Sequence, residues 1–354
     1  MDMHKTYKEL DNSKVKQYLT NPALPIIKAN WKGNPMSASG RFLNHQYPFV
    51  PQFADILKWK SKTNPELADK KKDSFRVDTI ETDAFLTSGK DGICWIGHAT
   101  FLFRVKGKLF LTDPVFSSPS LLMKRFSNLP FSPGRLDDLD YLLISHDHRD
   151  HLDESSLKSV FRVADRVEVF TGLRIGNFIQ NIKPTVKVQE AGWYQQYTIG
   201  DGIELFYLPA RHWCKRGLTD TNYRLWGSFL IRTPELTIYF GADSGYGGHF
   251  KEIGELFPNI DFALLGIGAY KPEWFMEASH TSPEKALQAA EDLKCKHFIP
   301  MHYGTFDLAD ESLSDPIRSA KQLFEQGNYS FQLVVPSVGE PVYAGEKMPY
   351  RYSF

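Results

Sequence analysis

Residues 145–153 read Ser-His-Asp-His-Arg-Asp-His-Leu-Asp and stand directly after the apolar run Tyr-Leu-Leu-Ile at 141–144. Three histidines and two aspartates fall within the six positions 146–151. On a turn that follows a strand, His146 and His148 can aim their imidazoles at one ion while Asp150 and His151 face a second. Neutral imidazole together with carboxylate suits zinc or a similar borderline ion.

The same logic recurs further along the chain. His212 follows the run 203–208, Asp243 follows 236–240, and His302 follows 297–299, so each stands just beyond a segment that reads as a strand. Ligands on strand ends converge on one edge of a sheet. Taken singly, His212 or His302 would serve as a structural histidine, but as a set with the dense motif they read as ligands. Their wide separation in sequence means that the site needs a folded scaffold and is not a metal clip within one loop. Asp113, at the end of the run 108–112, either accepts a hydrogen bond from a ligand imidazole and fixes its tautomer or is an ordinary turn acid. His98, in the word WIGHAT, fits the same edge or a buried structural role equally well.

Short apolar runs with turn residues between them begin at residue 92. GICWIG, TFLFRV and KLFLTDP, the last after a Lys106-Gly107 turn, predict a β-meander. Further strands are predicted at 141–144, 167–170, 203–208, 228–231, 236–240, 262–267, 297–299 and 331–335. Helices are expected at 154–161 after a cap at Asp153, and at 314–326 before Gly327. Another is expected at 283–293, after Thr281 or Ser282, with Pro283 in its first turn and Glu284 completing a Thr-x-x-Glu box. Strands with interspersed helices predict a layered α/β sandwich over residues 86–354. Residues 1–85 read as an irregular extension. Its aromatics, Trp31, Phe42, Tyr47, Phe49, Phe53 and Trp59, are more than disorder usually carries and are expected to pack on the main domain.

Of 354 residues, 42 are basic and 42 acidic, so no global field gathers a polyanion, and nucleic acid is not an expected partner. Three cysteines without close spacing argue against both a disulfide framework and a thiolate metal knuckle. The start of the chain lacks the apolar core of a secretory signal and no run is long enough to span a bilayer, so the expectation is cytoplasmic residence, with peripheral membrane contact left open. Residues 117–133 combine Leu121, Leu122, Met123 and Phe126 with Lys124 and Arg125, a mixture that either seats at a lipid interface or forms a packed connection. Trp193, Tyr194, Trp226 and Trp274 read as core aromatics or as walls of an acyl groove.

HDHRDH followed by isolated His, Asp and His resembles the metallo-β-lactamase superfamily. That resemblance implies a four-layer αββα sandwich with two metals between its sheets. By matching position, His146, His148 and His212 would hold one metal, Asp150, His151 and His302 the other, and Asp243 would bridge them. The words WIGHATFLF, LFLTDPVFSS, LISHDHRDHLD, LPARHWCKRG, GADSGY, PEWFMEASHTSPEKA and MHYGTF resemble the branch of phospholipases D that hydrolyse N-acylphosphatidylethanolamines and, more distantly, the ascorbate-phosphate lactonases. The similarity covers about residues 90–310. It implies two Zn2+ ions, with Mn2+ or Fe2+ as other divalent occupants, and cleavage of a lipid phosphodiester to N-acylethanolamine and phosphatidic acid. His280 matches a histidine that the family places beside the substrate phosphate, and it precedes a helix whose free N–H groups favour an anion, so it is expected as a catalytic residue, a phosphate contact or leaving-group acid, with a structural histidine beside the helix cap as the alternative. Asp150 carries a second expected role, accepting the proton of the attacking water.

The alternative on the same metal site is a lactonase or a hydrolase of a small phosphorylated metabolite, because one activated water attacks carbonyl or phosphorus alike. A third reading, a redox protein with iron in the same cage, is weakened by the lack of a flavin-binding partner domain. β-Lactam hydrolysis does not follow from the flanking words, and the oligomeric state is not legible.

Overall fold

The computed structural model describes residues 12–346 except 45, 47, 48, 50, 51, 121 and 122. A short ribbon pairs β1 (Gln17–Leu19) with β2 (Asn34–Met36). The first large sheet holds β3 (Gly92–Gly97), β4 (Thr100–Val105), β5 (Lys108–Thr112), β6 (Tyr141–Ile144), β7 (Glu168–Gly172) and β8 (Lys187–Ala191). The second holds β9 (Gln195–Gln196), β10 (Glu204–Leu208), β11 (Ser228–Arg232), β12 (Thr237–Phe240), β13 (Phe262–Gly266), β14 (His297–Met301) and β15 (Gln332–Leu333). Finally β16 (Pro341–Tyr343) returns to pair with β3, so each sheet has seven strands.

The meander β3–β5 is antiparallel, and its Lys106-Gly107 turn has φ of 50° and 77°. Two successive positive φ values give a turn whose twist matches the strands it joins. From β5 to β8 the pairing is parallel, with helices Glu154–Val163 and Gly176–Ile182 as crossovers. The second sheet repeats the plan: β12 to β15 are parallel, linked by helices His249–Leu256, Pro283–Leu293 and Asp315–Gln326.

Strict alternation decides which side chain faces which layer. Ile93, Trp95, Phe101 and Phe103 join the cluster between the sheets, where Phe101 and Phe103 each meet Phe240 of the second sheet at 6.4 Å. Cys94, Ile96 and Leu102 point the other way, into the cluster that holds Leu157, Val160 and Phe161 of an outer helix. Both faces of these strands are therefore apolar, which is why their sequences read as continuous runs. The result is the expected αββα sandwich.

Local chemistry meets expectation at the helix caps and departs from it elsewhere. Asp153 caps its helix, accepting from Ser156 N at 2.8 Å. The helix from Pro283 is capped by Ser282, which accepts from Lys285 N at 3.3 Å. Thr281 instead donates its hydroxyl to Gly266 O at 2.6 Å, so the Thr281–Glu284 box does not form. The strand expected at 331–335 shrinks to Gln332–Leu333. β8, with Lys187, Gln189 and Glu190, was invisible as an apolar run because it is a sheet edge. The extension carries regular structure beyond the ribbon, with helices Phe53–Lys60 and Leu67–Lys72. Trp31 meets Tyr194 edge-on at 4.8 Å, Phe42 is buried, and Trp59 Nε1 donates to Asp310 Oδ1 at 3.0 Å. Tyr47 and the side chain of Phe53 lie outside the described residues. No helix among the described residues is long and apolar enough to cross a membrane.

Candidate metal centre

The expectation of one sheet edge needs correcting. His146, His148, Asp150 and His151 leave the end of β6 in the first sheet, whereas His212, Asp243 and His302 leave β10, β12 and β14 in the second. The site is a seam between two facing sheets, and inter-sheet bonds fix it: Tyr207 OH donates to Ser145 O at 2.8 Å, and Gly227 N to the same oxygen at 3.2 Å.

In the first group, three imidazole nitrogens face one another. His146 Nε2 lies 3.0 Å and His212 Nε2 lies 3.1 Å from His148 Nδ1, and Asp243 Oδ2 stands 3.9 Å and 3.7 Å from the Nε2 atoms of His146 and His212. The second group gathers His98, Asp150, His151 and His302. Nε2 of His151 and His302 lie 3.8 Å and 3.6 Å from Asp150 Oδ2. Asp243 reaches this group too, with Oδ2 3.2 Å from His151 Nε2 and Oδ1 3.2 Å from His302 Nε2. It is the carboxylate common to both.

Hydrogen bonds on the outer side of the rings set their tautomers. Asp113 accepts from His151 Nδ1 at 2.8 Å, from Ser145 N at 2.8 Å and from Ser145 Oγ at 2.5 Å. With its proton committed to Asp113, Ser145 Oγ must accept from His146 Nδ1, 2.9 Å away. Ser279 O accepts from His212 Nδ1 at 2.9 Å. Three rings thus spend their Nδ1 hydrogens outward and turn Nε2 inward, as metal-ligating histidines do; against burial, the Asp243 and Asp150 carboxylates raise the His151 imidazole well above its usual pKa.

Residues 108–303 match the family described as the beta-lactamase superfamily domain. The chain belongs to the metallo-β-lactamase superfamily. Among its relatives, the N-acyl-phosphatidylethanolamine-hydrolyzing phospholipase D 1 of Caenorhabditis elegans is 31% identical over 263 residues, which are 70% of this chain and 74% of that protein. A UPF0173 metal-dependent hydrolase of Pyrobaculum aerophilum is 31% identical over 238 residues, 63% of this chain and 88% of that one. The sandwich also superimposes on Igni18, a metallo hydrolase of Ignicoccus hospitalis, with a TM-score of 0.54 and 20% identity, covering 73% of this chain and all of the other. As a member of this metallo-β-lactamase superfamily, the protein is a metal-dependent hydrolase.

Its residues fit a metal. A tetrahedral ion with bonds of about 2.0 Å to nitrogen spaces its donors about 3.3 Å apart, close to the separations of the His146, His148 and His212 nitrogens. Nε2 of both His151 and His302 is buried without a hydrogen-bond partner. Electrostatics point the same way. Burial, and then the neighbouring His151, hold His146 well below the usual imidazole pKa. Burial likewise lowers His148, and lowers His212 far despite Asp243. Three neutral rings stand ready as ligands. On the other side, burial opposes charge on His302, yet the Asp243 and Asp150 carboxylates outweigh it and raise its pKa to about 9. Against the same burial, their imidazole neighbours hold both carboxylates ionised, His151 contributing most. Asp243, almost wholly buried, and the half-buried Asp150 set two carboxylates around the same imidazoles, and a cation would supply compensating positive charge.

His280 lies on the open side, its Nδ1 3.8 Å from Asp243 Oδ2. Its side chain is 16% exposed and that of Asp150 14%, against 0–2% for His146, His151, His212, Asp243 and His302. Burial pushes His280 down to about 4, so at neutral pH its ring is a neutral donor and not the imidazolium that a leaving-group acid requires.

Of the two readings of His98 the structure favours the site edge, and other neighbours escaped sequence reasoning. His98 lines the site, its Nε2 3.2 Å from Asp150 Oδ2, and its φ of 56° places the backbone to reach it. Asp147, the first acid of the motif, stays out of the cluster and pairs with Arg224 at 2.9 Å, while Arg216 Nη1 donates to the carbonyls of Asp147 and Leu152 at 2.9 Å and 2.6 Å. Trp213 stacks edge-on against His148 at 4.5 Å. The only available signal was their position beside the ligands. Of the proposed lipid contacts, Met123 and Phe126 are half-buried, whereas Leu121 and Leu122 lie outside the described residues. Arg125 is not a surface cation: it turns inward and donates to the carbonyls of Val115, Ile96 and Ser127 at 2.7, 2.7 and 3.0 Å. Trp193, Tyr194 and Trp226 are fully buried core aromatics and not groove walls, while Trp274 is 43% exposed.

Proposed function

We propose that the chain is a dinuclear zinc phosphodiesterase of phospholipase D type that hydrolyses N-acylphosphatidylethanolamines. The observation that carries the reading is Asp243, one carboxylate common to a three-imidazole group and a mixed imidazole–carboxylate group. His146, His148 and His212 would hold one ion, Asp150, His151 and His302 the other, and Asp243 would reach both. When bound, such a pair supplies Lewis acidity, bringing the pKa of water toward neutrality and neutralising charge on a phosphoryl oxygen. Asp150, ionised and touching solvent, receives the proton of the attacking water. His280 donates a hydrogen bond to the phosphate of the substrate and orients it. Asp113 holds the ring of His151 in its ligating tautomer.

The lipid substrate is supported by the nematode relative's name and by an exposed apolar side chain on a loop that carries a candidate ligand. Leu218 is 96% exposed on the loop that carries His212, three residues after the exposed Lys215. An apolar tip with a cation suits contact with a lipid surface from the cytoplasmic side.

The test presents purified protein with N-acylphosphatidylethanolamine in mixed micelles, a water-soluble phosphodiester and a lactone, and follows products by mass spectrometry. N-acylethanolamine and phosphatidic acid in equal amounts support the proposal. Turnover of the soluble substrates alone would replace it with the lactonase or small-metabolite reading.

A further inference from the structure

The loop 209–224 lies between β10 and β11, beyond any ladder, so the backbone groups of His212 need partners from elsewhere. They find both in one side chain of the N-terminal extension. Asn44 Nδ2 donates to His212 O at 2.9 Å, and Asn44 Oδ1 accepts from His212 N at 3.2 Å. Asn44 is 3% exposed. Its amide thus closes a two-bond ring with the peptide groups of a ligand residue, as a neighbouring strand would.

The extension is held to do this. Phe42, wholly buried, donates its N–H to Asn222 O at 2.8 Å, Leu43 N donates to Pro35 O at 2.9 Å, and Arg41 Nη2 donates to Thr219 O at 2.8 Å. Further on, Val77 fills the space over Gly304, two residues past His302, where φ is +66° and a Cβ would collide with the valine. The arm therefore touches two of the loops that carry candidate ligands. Asn44 lies outside the residues 108–303 that match the family.

From this geometry we propose that Asn44 is a positioning residue for the metal centre, and that the extension, through it, sets where the His212 imidazole stands. The proposal rests on reading His212 as a ligand. A ligand ring is useful only when its nitrogen is held within about 0.5 Å of the productive place. Ser279 O fixes the rotation of the ring; Asn44 fixes the backbone from which it hangs.

The test uses the full chain and zinc alone, titrated against a chromophoric chelator, with cobalt absorption as a spectroscopic readout. Asn44→Ala is expected to weaken one of the two zinc-binding steps by about 10- to 100-fold, to alter the cobalt bands of that site, and to leave the circular dichroism unchanged. Asn34→Ala is the control, since Asn34 Oδ1 accepts from Trp193 N at 3.1 Å in the same arm; it is expected to bind zinc as the wild type does. In a His212→Ala background, adding Asn44→Ala should change nothing further. Unchanged zinc affinity in Asn44→Ala, or an equal loss in Asn34→Ala, would overturn the proposal in favour of general packing of the arm. Should Asn44→Ala not fold, the isosteric Asn44→Asp, which sets an oxygen against His212 O, must fold and bind zinc more weakly; wild-type affinity or unfolding there also overturns it. A wild type without zinc, or a His212→Ala protein that keeps both steps, would instead remove the metal reading itself.

Discussion

Replacing Asp113 by Asn changes almost no volume but reverses the polarity of one atom in a fully buried cluster. Asp113 accepts three hydrogen bonds, and its Oδ2 faces two donors, His151 Nδ1 and Ser145 Oγ, while Oδ1 faces Ser145 N. An amide has a single acceptor oxygen. With its NH2 toward His151, that ring must turn its lone pair outward and present Nε2–H to the ion. With its NH2 toward Ser145 N, two donors confront each other in the backbone turn that leads into the motif. Each arrangement leaves a buried donor unsatisfied, at about 1–3 kcal/mol. In the first case the cost falls on metal binding, a loss of roughly 10- to 100-fold in affinity for the ion at His151. In the second it falls on the fold, lowering Tm of the metal-free protein by about 1–4 °C for a chain of this length. Chelator competition and thermal denaturation of the metal-free variant together capture either route. An Asp113→Asn protein with wild-type zinc affinity and wild-type Tm would refute the tautomer argument.

Other expectations follow from the same geometry. His148→Ala should abolish metal-dependent turnover while far-ultraviolet circular dichroism stays that of the wild type. His280→Ala should lower kcat by about 10²- to 10³-fold, the effect of losing one hydrogen-bond donor to the reacting group, with both ions still bound by elemental analysis; loss of an ion would reassign it as a ligand. Arg224→Met strands the buried carboxylate of Asp147, which is 0% exposed, and should cost about 3–5 kcal/mol, visible as a fall in Tm; an unchanged Tm would contradict it. The three free cysteines are buried, and burial pushes the Cys94 thiol up to about 12, so a thiol reagent at pH 8 should label none of them until denaturant is added.

What the sequence made legible is what rests on local pattern. Runs such as GICWIG and TFLFRV announce strands covered on both faces, and Asp153 and Pro283 announce helix starts, because period and capping are properties of a few adjacent residues. The residues that gather in the candidate metal centre were legible because each follows a strand end. The remainder depends on contacts between distant segments. Nothing local distinguishes Asp147, which pairs with Arg224, from Asp150, which faces the cluster; the turn geometry after β6 decides it. Arg125 reads as a surface cation until three carbonyls are seen around it. His98 fits the site edge or a structural role equally until β3 is placed beside the loop after β6. Asn44 carries no signal at all, since its partner is the backbone of a residue far along the chain, and the choice of Ser282 over Thr281 as cap turned on where Gly266 O lies.

Elemental analysis of protein purified without added metal, paired with activity after chelation, addresses the cation pair most directly. The account predicts close to two zinc equivalents per chain, close to one in His148→Ala, and hydrolysis that vanishes with chelator and returns with zinc. Protein that carries no ion and turns over substrate undiminished in chelator would contradict it.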